Sequence, residues 1–240
     1  VFTSCYGNQF AAGVPGLTPP PLLTKEFSMS FPFDSDRPVR VAIAYTSGQG
    51  HTAKVAEHVA AGARSVTNTE VSVFDVASFD DHTWADLAEA DAIVFGAPTY
   101  MGGPDGQFKV FADASASVWY LQGWKDKLAA GFTNSGHMAG DKLNTLVYFA
   151  ILAAQHGMHW VSYGAKGGWD TSQGSAEDLN RIGSWLGVAT QSNKDQPAEL
   201  VPPASDLLTA EALGRRVAVV TRQWLVGRDV LAEAEALAAD

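Results

Sequence analysis

Residues 45–59 read YTSGQGHTAKVAEHV and follow the apolar run VRVAIA at 39–44. A short apolar run, a loop of glycines and hydroxyls and a segment of helical periodicity form a strand–loop–helix unit, and what the loop holds decides the fold. Written as G-x-G-x-x-A, with Gly48, Gly50 and Ala53, it matches a dinucleotide fingerprint, and Asp75 closes the next apolar run VSVFD where that fingerprint wants an acid. Written as TSGQGHT, it suits a terminal phosphate, because Thr46, Ser47 and Thr52 add hydroxyls to the N–H groups of a helix N-terminus. A turn with a Ser/Thr helix cap would use the same residues. A triphosphate loop is excluded, since the Gly-Lys-Ser/Thr ending is missing.

Outward from this unit the pattern alternates. Apolar runs near 39–45, 71–75, 92–97, 128–133 and 158–163 are separated by helical stretches, which predicts a parallel sheet with helices on both faces. DAIVFGA and VRVAIAY are apolar almost throughout, as strands covered on both sides are. HTAKVAEHVAAGA places Val55, Val59 and Ala60 or Ala63 at helical spacing, and LNTLVYFAILAAQHG predicts a largely buried helix stopped by Gly157. Residues 164–206 are rich in Gly, Ser, Asn and Pro and delay the last helix, expected over 209–225 from Leu213, Val217, Val220 and Trp224, with a separate helical tail after Gly227. An interruption of that length reads as functional or interfacial.

The chain has 240 residues, a formal charge of -10, a pI near 4.9 and a single cysteine, Cys5. Electrostatic capture of nucleic acid is not expected from such a balance. One cysteine removes internal disulfides, Cys-based zinc and Fe–S ligation, and no metal site is expected. Residues 1–38 are Pro-rich and aperiodic, with neither the basic start of a signal peptide nor the apolar length of a membrane span. They read as an extension, derived from expression or an early start before Met29, in preference to a docking arm. Residues 39–240 read as one domain.

Ligands of an open parallel sheet bind beyond the carboxyl ends of its strands, so the loops after the third and fourth strands matter as much as the first. The second loop offers Pro98, Thr99, Tyr100 and Met101 before Gly102 and Gly103, a side-chain wall beside bare backbone. The third, 133–140, offers Asn134, Ser135, Gly136, His137 and Gly140, whose backbone donors suit the carbonyls of a heterocycle. Jointly the three loops favour flavin mononucleotide (FMN) over a dinucleotide, which needs only the first.

These residues resemble the flavodoxin-like NAD(P)H:quinone oxidoreductases of the WrbA family. The resemblance covers about 39–163 and resumes near the last helix. Ser47, Gly50 and His51 stand in the family's S-x-x-G-H phosphate loop; Pro98, Thr99, Gly102, Gly106, Gln107 and Phe108 match its P-T-x-x-G and later G-Q-aromatic; Asn134, Ser135 and Gly136 resemble its S/T-G loop. The resemblance implies a doubly wound five-stranded parallel sheet of order 2-1-3-4-5 and an insertion before the last helix. It implies phosphate binding at Ser47, Gly48, Gln49, Gly50, His51 and Thr52, and a ring site built from the second and third loops. AAQHGM resembles the family's HHGM, which gives His156 a role at a flavin across a subunit interface, and Trp119 stands where the family has a Trp over the ring. Departures are Gln49, where an aromatic is common, Gln155, which replaces the first His, and the insertion at 164–206.

The implied chemistry is ping-pong transfer: NADH or NADPH reduces FMN, and a quinone then receives two electrons in a cytoplasmic homodimer or homotetramer. A flavodoxin-type electron carrier, a broader FMN reductase and a dinucleotide-binding module remain alternatives.

Overall fold

The computed structural model describes residues 37–239, so the expected extension lies outside the described residues except for its last two positions. In chain order the first half comprises β1 (Val39–Tyr45), α1 (His51–Arg64), β2 (Thr69–Asp75), α2 (Asp81–Glu89), β3 (Ala92–Tyr100) and β4 (Gly103–Pro104). The second comprises α3 (Gly106–Ala114), α4 (Ala116–Tyr120), β5 (Leu128–Ser135), α5 (Lys142–Gln155), β6 (His159–Trp160), β7 (Val188–Gln191) and α6 (Ala204–Ala239). The parallel sheet runs β2-β1-β3-β5-β6, with β4 as a short antiparallel partner of β3. This is the order that the resemblance implied, while the strand-to-helix alternation had predicted only a parallel sheet.

Side-chain alternation along each strand feeds two cores. On β1, Val39, Val41 and Ile43 join Val55, Val59, Leu213 and Val217 beneath α1 and α6, while Ala42 and Ala44 join the opposite core. That second core is aromatic: Phe95, Phe108, Phe111, Trp124 and Phe149 pack beneath α3 and α5. Phe108 and Phe149 lie 4.7 Å apart between ring centroids.

Three expectations change in detail. The fifth strand is split. Only His159 and Trp160 pair with the foot of β5; after Val161 N–H bonds Ala129 O at 2.7 Å the chain leaves the sheet. It returns as β7 beside Phe132 to Ser135, so part of the expected insertion is a strand. Val188-Ala189-Thr190-Gln191 is too short and too polar to stand out as an apolar run. Second, the last helix and the tail after Gly227 are one helix, α6, because a single exposed glycine costs a helix interior only about 1 kcal/mol. Third, α5 is not largely buried. It seats Leu146, Phe149, Leu152 and Ala153 on the sheet but exposes Leu143, Val147 and Ile151 along the other side. A helix apolar all round gives periodicity no means of choosing a face. Gly157 does end α5: at φ 70° its N–H reaches Ala154 O at 3.1 Å.

Helices α1 and α6 touch backbone to backbone. A methyl group on Gly62 would lie 1.9 Å from Glu211 O, and one on Gly214 would lie 1.9 Å from Val59 O. Gly227 has nothing within 4 Å of the corresponding position. Gly214→Val should therefore cost stability at the upper end of the overpacking range of about 1–3 kcal/mol, whereas Gly227→Ala should add up to about 1 kcal/mol. Urea unfolding followed by circular dichroism measures both, and equal effects would contradict the packing.

Candidate cofactor site

β1 lies between β2 and β3, so the chain turns to opposite sides after β1 and after β3. The loops that follow their carboxyl ends therefore face each other across a cleft. Thr46 N–H bonds Gly96 O at 3.0 Å, and its hydroxyl donates to buried Asp105 at 2.5 Å. Asp105 in turn caps α3, so the exit of β1 is tied to the start of α3.

The first loop curls over the start of α1. The N-cap is Gly50 in the left-handed region, φ 84°, with no side-chain cap, so the alternative of a Ser/Thr N-cap is not what forms. The Ser47 hydroxyl instead accepts the Ala53 N–H at 3.2 Å. Gly48, Gln49, His51 and Thr52 all line a cleft of about 60 Å³ at this helix terminus. His51 forms part of the wall, but its Nε2 sits 2.8 Å from Gln196 O and tethers the segment after β7.

The second loop is a hairpin. Met101 (φ 49°) and Gly102 (φ 83°) are both left-handed, as a two-residue turn between twisted strands demands. The Asn144 side-chain amide donates to Gly102 O and pins the hairpin to α5. Pro98 and Tyr100 line the cleft. Tyr100 is 48% exposed, and its hydroxyl lies 2.4 Å from where a Gly48 methyl would stand, so the phenol covers a loop position that must be bare. Burial, with the Asp105 carboxylate nearby, raises the Tyr100 phenol above its usual value. Met101 projects from the turn tip, fully exposed. Thr99 is turned inward: its hydroxyl lies 2.8 Å from those of both Thr133 and Thr145, joining β3, β5 and α5. It braces the cleft without facing it.

In the third loop Asn134, Ser135 and Gly136 line the cleft. Asn134 Oδ1 accepts from Thr190 at 2.8 Å and Ser192 at 3.0 Å, which orients the amide. Gly140 (φ 52°) passes so close to Ser135 that a methyl there would lie 2.4 Å from the hydroxyl. His137 is exposed and contributes its carbonyl, which accepts from Lys142 Nζ at 2.5 Å; the same ammonium donates to the Ser135 hydroxyl at 3.2 Å. Lys142 is 2% exposed. Burial lowers its ammonium to about 8, opposed by Asp206 and reinforced by Arg181.

Sequence reading missed Lys142, Ser192 and Lys194, the last two being cleft-lining residues. Both sit in the polar stretch QSNKDQP, where nothing marks them. Only the position of β7 beside the end of β5 brings that stretch to the same edge.

His156 and Trp119 are not brought to this cleft. His156 follows the last residue of α5, about 20 Å along the helix from the third loop. It is 3% exposed, 2.9 Å from the Ser115 hydroxyl through Nε2, with its ring centroid 4.4 Å from that of Trp124. A ring enclosed in that way does not reach this cleft within its own chain, whereas the resemblance implied a contact with flavin. Its Nδ1 is buried without a partner, and burial lowers its pKa. Trp119 is on α4, half-exposed beside exposed Tyr120 and Leu121. It follows Ser115, the His156 partner, at the end of the domain away from the cleft.

Comparison with known proteins agrees with this fold. Residues 42–149 match the model of the flavodoxin domain family. Flavodoxin FldP of Pseudomonas aeruginosa strain UCBPP-PA14 is 39% identical over 184 residues, covering 77% of this chain and 97% of that protein. An NAD(P)H dehydrogenase (quinone) of Geotalea uraniireducens strain Rf4 is 31% identical over 203 residues, covering 76% and 97%. The crystal structure of the flavodoxin, WrbA-like protein from Agrobacterium tumefaciens is 41% identical, with a TM-score of 0.61, and covers 77% of this chain and 98% of that one.

The burial of His156 has a pH consequence. The folded ring is held neutral, so below the usual imidazole value of 6.5 the unfolded chain binds a proton that the folded protein does not. The contribution is complete above 6.5 and is lost as pH falls toward the lowered folded value. The urea midpoint of the wild type should fall between about pH 7 and about pH 5.5 more steeply than that of His156→Gln. Parallel pH profiles would contradict the assignment.

Proposed function

This chain belongs to the flavodoxin-like family, and from that premise we propose that it is an FMN-dependent oxidoreductase passing a hydride from NADH or NADPH to FMN and two electrons onward to a quinone. The observation that carries the flavin reading is the convergence of three loops on one cleft, built around a helix N-terminus whose N-cap residue, Gly50, has no side chain. A glycine at 48 that the Tyr100 hydroxyl approaches, and a left-handed Gly140 beneath Ser135, keep the loop walls free of side chains. These residues fit a phosphate-bearing planar ring.

Ser47 and Thr52 would supply hydroxyls to the phosphate, with N–H groups of the first turn of α1, and Lys194 would offset its charge from the segment after β7. Pro98 and Tyr100 on one side, and Asn134, Ser135 and Gly136 on the other, would border the ring. Bound FMN supplies the two-electron chemistry. The chain contributes position and polarity. His156 is enclosed and the His51 ring is bonded to Gln196 O, so neither is placed to donate a proton into the cleft.

A one-electron carrier is the second reading, favoured by the name of the 39% identical relative. The relatives named NAD(P)H dehydrogenase (quinone) support the enzyme reading. We assign the exposed stripe of Leu143, Val147 and Ile151 on α5 to contact with a second copy, since one apolar helix edge at i, i+4 and i+8 is suited to a self-complementary interface.

Purified protein should be yellow or become so with FMN. Ser47→Ala with Thr52→Ala should weaken FMN binding at least tenfold, about 1.4 kcal/mol, measured by flavin fluorescence quenching. Stopped-flow mixing of the FMN-loaded protein with NADPH and with NADH should bleach the flavin directly with at least one of them; no bleaching with either selects the carrier. Val147→Glu with Ile151→Glu should lower the mass seen by light scattering to that of one chain, and an unchanged mass would remove the assigned contact.

A further inference from the structure

Lys142 is a buried ammonium without a carboxylate partner. No salt bridge reaches it among the described residues, and its bonds go to a hydroxyl and a carbonyl of one loop. The acid that acts on it, Asp206, is engaged elsewhere: both its oxygens bond Arg181, at 2.7 and 3.0 Å, and one also accepts the Gln191 N–H at 2.8 Å. Two cations against one carboxylate leave one positive charge beneath the third loop. Enclosing an unpaired charge costs several kcal/mol, and a neutral residue of similar length would fill the same space without that cost.

Every element packed around the ammonium contributes to its surroundings. The loop gives Ser135 and the His137 carbonyl, with the His137 ring exposed; the segment before β7 gives Arg181; α6 gives Asp206; and Asp141 precedes Lys142 itself, exposed. Only Asp206 opposes the positive charge strongly, and Arg181 neutralises it. Ser135, the hydroxyl held by Lys142, is itself a wall of the cleft, so the charge stands one side chain from any bound ring.

We propose that Lys142 is a positioning residue for the flavin: it ties Ser135 to the His137 carbonyl in the third loop and stabilises the negative charge that reduction leaves on the ring. The inference rests on the FMN reading above. A hydride brings two electrons and one proton, so a neutral ring becomes an anion while NAD(P)H becomes NAD(P)+. A fixed cation behind the loop favours that anion over the neutral oxidised ring. Such a group acts where charge develops, so it strengthens binding of reduced FMN more than of oxidised FMN. An ammonium already lowered to about 8 would gain proton affinity when the ring becomes negative.

The test is an equilibrium redox titration of the FMN-loaded protein, wild type, Lys142→Met and Lys142→Arg, with oxidised FMN affinity and thermal unfolding of each. Lys142→Met should lower the preference for reduced over oxidised FMN at least tenfold, which is about 30 mV for a two-electron couple. Lys142→Arg should retain most of it. Unfolding of flavin-free Lys142→Met should be unchanged or occur at higher temperature, since the loss of an unpaired buried charge offsets the lost bonds. In the wild type the potential should fall more steeply with pH above about 8, where reduction draws a second proton onto Lys142, and that extra slope should vanish in Lys142→Met. The wild-type profile stands on its own if Lys142→Met does not fold. A wild-type potential with no change of slope, or equal potentials in wild type and Lys142→Met, would overturn the role of Lys142 and leave the FMN reading intact. A wild type that binds no FMN would overturn that reading and this role together.

Discussion

The position of β1 between β2 and β3 is the constraint from which the site follows. A strand flanked on both sides by its own successors sends its exit loop and that of β3 to opposite faces of the sheet, with α1 on one face and α3 on the other. The ends of the two strands then stay uncovered, and a helix N-terminus stands at the gap. The Thr46–Asp105 bond ties those diverging exits together, so the gap has a defined width.

Packing supports this arrangement differently on the two faces. On one, Gly62 and Gly214 let α1 and α6 approach to backbone contact, which holds the axis of α1 and therefore the direction of its N-terminus. On the other, the aromatic core around Phe108 and Phe149 seats α3 and α5, and the Thr99–Thr133–Thr145 hydroxyls bond inside it. Polar groups buried with partners specify one arrangement of strands and helix, because sliding any of the three elements leaves a hydroxyl unpaired. The cleft inherits its rigidity from residues that do not touch it.

Much of this was legible beforehand where local chemistry and global placement agree. The loops at 46–52, 98–102 and 134–136 each carry glycine, hydroxyl or proline in the order that turns and helix starts require, and they converge. Legibility failed where a residue's role depends on what lies opposite. Thr99 reads as a cleft residue and is a brace; His51 lines the wall, yet its ring is committed to Gln196 O; His156, with the right neighbours in sequence, is sealed against Trp124. Side-chain direction at a strand end or past a helix terminus is set by contacts with other elements, which spacing along the chain does not encode.

The sequence by itself determined the alternation of strands and helices, the order of the sheet through its resemblance, the glycine-bearing loops and the helix stop at Gly157. All but the sheet order rest on short-range physics: periodicity, backbone freedom and the hydrogen-bonding needs of helix ends. Tertiary structure alone decided that 188–191 completes the edge of the sheet, that Ser192 and Lys194 therefore reach the cleft, and that Lys142 lies buried under the third loop. Those three placements come from segments meeting after the chain has left the sheet and returned. A lysine at the start of a helix reads as an exposed charge until another part of the chain closes over it.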